Sequence, residues 1–573
     1  MTTVICCATA GALCSFAEEA TPSEEGLFRL QYHIANSKLC NAGACVDFDG
    51  DGRREFLYGA RTTNTLNMLD AATGKVIWSR PVEGEQHHLT AVDLNHDGNF
   101  ELLSAVGKPG WLHLVDPATG TILNTWESGD WKVGNSPVVI DTDHDGVLEG
   151  YFGTRQKYLI RFDFQRFQSL QQRDGWAQCG CNTSAMDVDH DGVWDLFAGS
   201  GDDQAHGKGV LHRFRPTSLE TVWSYKSNDN ASSADPVLVD IDGDGEVEVV
   251  KSVDNYGNDE PHDAVYAFET DGTLLWRVAG LSGEDSPNVA DLDGDGSVEI
   301  VGMTFGGEVY CLDEHGDFKW RRDLRPNIDD SAHTYQTPIL CDLDGDRQLE
   351  ILAMTTGGYF EGDPKDTSGA ANGILFALAA DGTILDSFDV GGARFLMEAF
   401  VTNLDDDPYL EVVMAGSGGV DVIETRGFGA NVEYFQRRRT YQRLNVLGWV
   451  YDDSYFIHRG TREGVVNLTD NLVLEEAEDG YRPAGRFVTE LLTLPPDGYF
   501  HKLQFQVRTP PGTSVRANLL DASGGMIQVD VRSGAPLEIA EPVLIEFLLS
   551  TTDRSTTPLL DEYRLSFDRR GGS

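Results

Sequence analysis

Eight short segments of this 573-residue chain carry acidic side chains at alternate positions of a tight loop, the arrangement that gathers oxygens around a hard cation. They are DFDGDGRRE from Asp47, DLNHDGNFE from Asp93, DTDHDGVLE from Asp141 and DVDHDGVWD from Asp187. DIDGDGEVE from Asp240, DLDGDGSVE from Asp291, DLDGDRQLE from Asp342 and NLDDDPYLE from Asn403 complete the set. Calcium takes six to eight oxygens at about 2.3–2.6 Å. Acids at positions 1, 3 and 5 converge on one point, the glycine at position 6 permits the turn, position 7 offers its carbonyl, and the acid at position 9 closes the shell. The ligand set this predicts is Asp47, Asp49, Asp51 and Glu55; Asp93, Asn95, Asp97 and Glu101; Asp141, Asp143, Asp145 and Glu149; and Asp187, Asp189, Asp191 and Asp195. In the later loops it is Asp240, Asp242, Asp244 and Glu248; Asp291, Asp293, Asp295 and Glu299; Asp342, Asp344, Asp346 and Glu350; and Asn403, Asp405, Asp407 and Glu411.

An EF-hand begins the same way but places its bidentate Glu at position 12, inside a helix. Here the acid falls at position 9 and a strand follows. One Asp- and Gly-rich loop could be a polar hairpin turn and nothing more. Eight in register, with carboxylates that repel unless a cation joins them, point to calcium as the cofactor, several ions per chain. The seventh loop, with Arg347 in place of glycine, and the eighth, with Asn403 first and Pro408 sixth, are expected to be the weakest.

The loop starts are separated by 46, 48, 46, 53, 51, 51 and 61 residues, close to the ~40–50 residues of a four-stranded propeller blade. A short apolar strand precedes each loop (SPVVIDTD, ADPVLVDID) and another follows it (EVVKSV, EILAMT). A third strand then leads through an Asp/Gly turn to a fourth that often carries Trp, as in FETDGTLLWRVAG. Such alternation and turn chemistry mark antiparallel strands. The eighth repeat lacks an outer strand, and LFRLQYHIA near the N-terminus has no other place to pair, so the two ends of the repeat array are expected to close on each other. The fold class expected is all-β: an eight-bladed propeller, with seven blades as the alternative, followed by a C-terminal β-sandwich.

These loops resemble the FG-GAP (integrin α-like) repeat, also known as the VCBS repeat of secreted bacterial proteins, over residues 40 to about 425. The resemblance implies a calcium-braced propeller. It does not fix a function, because that family holds adhesion proteins, surface proteins and some polysaccharide lyases.

The domain plan that follows is a signal peptide at 1–17, a propeller at 27–425, a connecting segment at 426–460 and a sandwich at 461–573. VICCATAGALCSFA reads as the apolar core of an export signal, although the usual basic n-region is missing, with a buried strand as the alternative. Export places the protein outside the cytoplasm: secreted, periplasmic or at the cell surface. It would also permit disulfides among Cys40, Cys45, Cys179, Cys181, Cys311 and Cys341, whose pairing the spacing leaves open. In the connecting segment, Arg437, Arg438, Arg439 and Arg443 are expected to pair with propeller carboxylates. Downstream, YFHKLQFQV, SVRANLLDA and PVLIEFLLS alternate as strands.

The net charge of −49, from 93 acidic and 44 basic residues, argues against nucleic acid and anionic membranes as partners. All but Asn95 and Asn403 of the 32 assigned ligand positions are acids, so 30 of the 93 are assigned to cations. No apolar run reaches the ~20 residues of a membrane span. A ligand pocket is expected where the innermost strands begin, lined by His87, His88, Ser136, Asn182, Asp235, Asp285 and Glu398, with Ser286 and Thr337 in equivalent places. For any one of these, satisfaction of a strand end is an equal alternative.

Two functions follow: a calcium-dependent binding or adhesion protein for a glycan or surface protein, or a polysaccharide lyase similar to the rhamnogalacturonan lyases. In the second, calcium acidifies the proton beside a uronate carboxylate and His88, His333, Tyr335 or Lys132 removes it. The turn text LDAATGKVIW is also similar to quinoprotein propellers, with nothing specific to a quinone beside it. No nucleophile elbow, zinc-protease helix or phosphate loop is present.

Overall fold

The computed structural model describes residues 26–425 and 451–569, apart from segments within them. Those are chiefly the centres of the acidic loops, such as 243–246 and 293–296, and connections such as 175–182, 227–233, 254–263, 325–331, 358–372 and 390–398. Every described element is a β-strand. No helix among the described residues is long and apolar enough to cross a membrane.

Between Arg29 and Glu424 the described strands form eight antiparallel sheets, in which sequence neighbours pair except at the N-terminal strand and two short added strands. The fifth is representative: Val237–Val239, Glu248–Val253, Ala264–Glu269 and Leu274–Ala279, in that order across the sheet. The first strand is short and the second and third are wholly or nearly buried; the fourth alternates exposed and half-buried residues. That gradient is expected when a sheet is covered on both faces near its centre and open at its outer edge. The fourth and seventh sheets each add a two-residue strand, Asp202–Asp203 and Ala332–His333.

The closing strand lies where the repeat count required it. Arg29–Ala35 pairs antiparallel with Gly419–Glu424, as the outermost strand of the eighth sheet. His33 Nδ1 meets Asp421 Oδ1 at 2.6 Å across this pairing.

Eight apolar clusters join the sheets, each built from two consecutive ones. Trp78 and Leu89 belong to the first–second cluster, Tyr151 and Leu196 to the third–fourth, and Val250 and Tyr310 to the fifth–sixth. The last joins the eighth sheet back to the first, through Val413 and Val422 against Phe56 and Tyr58. Each sheet therefore buries both faces against neighbours, which is how the array exceeds the ~250–300 residues of a single core.

Tryptophans of the fourth strands tie these seams together. Trp78, Trp223, Trp276 and Trp320 each donate Nε1–H to a carbonyl in the next sheet's turn: Pro117 (2.7 Å), Thr270 (2.9 Å), Glu314 (2.8 Å) and Ala380 (2.8 Å). Each indole lies against a turn glycine. A Cβ on Gly316, whose φ is +80°, would meet Trp276 at 2.8 Å, so only glycine fits there. At the eighth–first seam Tyr32 takes the tryptophan's part, donating its hydroxyl to the Ala71 carbonyl and packing on Gly74. The N-terminal strand thus supplies a seam residue as well as a ladder.

Two further antiparallel sheets lie toward the C-terminus. One includes Val465–Leu468, Asn471–Leu474, Leu559–Arg569, Gly498–Arg508 and Ala535–Ile539; the other includes Gly460–Glu463, Ala484–Thr489, Val543–Thr551, Thr513–Asp521 and Met526–Val531. Both contribute to one core, where Phe487 and Phe547 of the second sheet meet Phe500, Leu503 and Tyr563 of the first. The short strand Tyr451–Asp452, inside the expected connecting segment, pairs with the first of these sheets.

Candidate metal centres

The acidic loops join the first strand of each sheet to the second. Position 2 is apolar in seven of the eight loops, and the residue there is buried in a seam, as Phe48, Val188, Ile241, Leu292, Leu343 and Leu404 are. Fixing that side chain aims its backbone N–H back across the loop, where the acid at position 9 accepts it. Phe48 N–H donates to Glu55 Oε2 at 2.8 Å, Leu94 to Glu101 at 2.8 Å, Thr142 to Glu149 at 3.1 Å and Ile241 to Glu248 at 2.7 Å. Leu292 donates to Glu299 at 2.8 Å, Leu343 to Glu350 at 2.7 Å and Leu404 to Glu411 at 2.7 Å. In these seven loops the ninth acid is therefore a loop clasp, whatever else its second oxygen does.

The fifth loop is the one in which several predicted ligands are described. Asp240, Asp242 and Glu248 place one carboxylate oxygen each within 4.8 Å of one another. Burial first, then the nearby Asp242, Asp240 and Glu269, together push the Glu248 carboxyl up to about 8, against the Ile241 N–H bond that favours the charged form. Three carboxylates this close, one of them buried, are costly to hold ionised without a positive charge among them. An all-oxygen donor set of that kind fits calcium.

Among the described residues, the ninth acids of the third, fourth and sixth loops face a protein cation, which the loop pattern does not foretell. Glu149 Oε1 accepts from Arg161 Nη2. Both oxygens of Asp195 accept from Arg213, Nε to Oδ1 and Nη2 to Oδ2, each at 2.7 Å. Glu299 Oε1 meets Lys319 Nζ at 2.7 Å. The signal was a basic residue interrupting a buried strand, in YLIRFD and GKGVLHRFR.

Asp47, Asp49, Asp51, Asp93, Asn95, Asp97, Asp141, Asp143, Asp145, Asp187, Asp189 and Asp191 lie outside the described residues. So do Asp244, Asp291, Asp293, Asp295, Asp342, Asp344, Asp346, Asn403, Asp405 and Asp407. Among the expected pocket and catalytic residues, Lys132, Ser136, Asn182, Asp235, Asp285, Tyr335 and Glu398 also lie outside them, as do the side chains of His87 and His333. So do residues 1–17, the arginines of 437–443, Cys179 and Cys181, and the side chains of Cys40 and Cys45; Cys311 and Cys341 are buried.

His88 is half-buried near the start of Gln86–Val92, and His333 lies on the short strand facing Thr356. Both are at the end of their sheets opposite the acidic loops. Ser286 and Thr337 are buried, and Thr337 Oγ1 donates to the Ser286 carbonyl at 2.8 Å, joining the sixth and seventh sheets. Ser184 Oγ does the same to Pro236 O at 2.6 Å, and Asn288 Nδ2 to Pro338 O at 3.3 Å. These polar strand starts hold sheets together.

The chain is thus an all-β protein of repeated four-stranded antiparallel sheets of the propeller type. No protein-family model matches it. It is 36% identical over 107 residues to the rhamnogalacturonan exolyase YesX of Bacillus subtilis (strain 168), a match covering 15% of this chain and 17% of that protein. Among solved structures it resembles BamB from Moraxella catarrhalis, at 13% identity and a TM-score of 0.44 over 69% of this chain and 97% of the other. It also resembles the V. cholerae biofilm matrix protein Bap1, at 13% identity and a TM-score of 0.48 over 70% and 91%. The Dos1 propeller is similar at 11% identity and a TM-score of 0.41 over 70% and 96%.

Proposed function

We propose that the chain is an exported, calcium-braced eight-bladed propeller with a C-terminal β-sandwich, acting as a binding module for a glycan or a surface protein. The supporting observation is the division of labour between the two ends of the sheets. The acidic-loop end is built from nine-residue clasped loops and tight turns of one pattern. The opposite end receives connections of unequal length, such as 254–263 and 358–372, and it is where His88 and the short strand bearing His333 lie. A repeated end suits a brace; a varied polar end suits recognition of a hydroxyl-rich ligand.

The likeness to the rhamnogalacturonan exolyase favours a second reading, a polysaccharide lyase acting at that same varied end. The protein would be incubated with pectic and uronic-acid glycans, in calcium or in chelator, while the ultraviolet absorbance of unsaturated product is followed. Binding without product, retained in wild-type protein and lost in His88→Ala and His333→Ala, supports the module. Product that those substitutions abolish replaces it with the lyase.

A further inference from the structure

We propose that Arg213, Arg161 and Lys319 lower the cation affinity of their own acidic loops by sharing the ninth carboxylate, so that the fifth loop fills before the fourth. This rests on the reading that the loops hold calcium.

The strand positions of the two arginines are equivalent. Arg161 pairs across the ladder with Tyr151, two residues beyond Glu149, and Arg213 pairs with Phe197, two residues beyond Asp195. The residues in that register in the other six sheets are Met68, Leu114, Ala267, Cys311, Ala377 and Val422, none of them charged. The sixth sheet reaches the same result from its fourth strand, with Lys319. Three sheets thus bring a cation to a carboxylate that the loop pattern assigns to a metal; in the fifth loop, whose first and third positions are among the described residues, Asp240 and Asp242 lie beside Glu248.

These pairs are shielded from water. Arg213 and Asp195 side chains are 14% and 12% exposed, and Arg161 and Glu149 14% and 6%. A buried charge acts at low effective dielectric and escapes salt screening, so a fixed cation beside a ligand carboxylate opposes a divalent ion in the same loop. Arg213 occupies both oxygens of Asp195, which makes the fourth loop the most affected. Arg161 and Arg213 also donate to carbonyls of the next sheet, Thr217 and Thr270, so a purely structural role as seam ties is the competing account.

The fourth loop carries its own reporter. Trp194, at position 8 and buried, is adjacent to Asp195 and can sensitise terbium, a trivalent ion that takes the same oxygen ligands as calcium. Terbium luminescence excited through tryptophan would be titrated on the full chain, and the component lost in Trp194→Phe assigned to this loop. Arg213→Met is expected to lower the midpoint of that component at least tenfold, with Arg213→Lys staying near wild type. An unchanged midpoint in folded Arg213→Met protein, or equal tightening by Arg213→Lys, overturns the proposal. If Arg213→Met does not fold, Lys319→Met, whose parent side chain is 30% exposed, is read by calcium calorimetry. One class of ions should tighten severalfold, and an unchanged isotherm again overturns the proposal. Absence of both the Trp194-dependent signal and calcium heat in wild type and variants removes the calcium reading itself.

Discussion

The two ends of the sheets are made by opposite rules. At the acidic-loop end a carboxylate seven residues on accepts the position-2 N–H in seven of the eight sheets, and the side chain at that position is set into a seam. At the other end the described polar residues split: Ser184, Asn288 and Thr337 bind neighbouring strand starts, while His88 stays partly open. Repetition marks the end that carries structure, and departure from repetition marks the end where a ligand is to be sought.

On the proposed reading, calcium removal should act on the first end alone and have the largest effect. Metal bound only by the native state stabilises by about 2.7 kcal/mol per site at a hundredfold excess over Kd, so chelation across several loops should lower Tm by tens of degrees. Scanning calorimetry in calcium and in chelator checks this. A seam substitution comes next. Trp276→Ala removes a ring packed on Gly316 and a bond to Glu314 O and should cost about 3–5 kcal/mol in denaturant unfolding, with or without calcium.

Acidification should sharpen the contrast. His212 is buried beside Ser224 Oγ at 2.6 Å, and burial, with Arg173 and Lys226 adding repulsion, pushes its imidazole down to about 4. The unfolded chain takes up that proton near pH 6.5 and the folded chain only near 4. Stability from this group is therefore intact above 6.5 and lost as pH falls through that window, on the order of 2–3 kcal/mol. His212→Gln should flatten the pH dependence of unfolding between 4 and 6.5. His33 has the reverse sign. Its hydrogen bond to Asp421 holds the imidazole above its ordinary value, so its contribution is full below pH 6.5 and fades as pH rises through the folded value. Because that side chain is 37% exposed, His33→Ala should change stability by no more than about 1 kcal/mol, and only on the acid side. Substitution of His88 should be smaller still, within about 0.5 kcal/mol, while abolishing ligand binding.

Much of this frame was legible in the sequence. The loop spacing gave the repeat, and the unpaired LFRLQYHIA gave the closing strand, because an eighth sheet with no outer strand demanded a partner. The fourth-strand tryptophans were visible, but their purpose was not, since it depends on a glycine in the following sheet. The clasp by Glu248 and its equivalents was hidden because a metal ligand and a hydrogen-bond acceptor call for the same residue at the same position. Arg213 could be seen as a charge in an apolar strand, yet only the fold brings it to Asp195, 18 residues away. By sequence Ser286 and Thr337 fit a pocket and strand-end packing equally, and the Thr337 Oγ1 bond to the Ser286 carbonyl favours packing.

The most direct test of the central claim is equilibrium dialysis of the full chain against radiocalcium, counting ions bound per molecule. Several ions per chain are expected, with one fewer in a variant carrying Asp240→Asn and Asp242→Asn. A chain that binds less than one ion at millimolar calcium would contradict it.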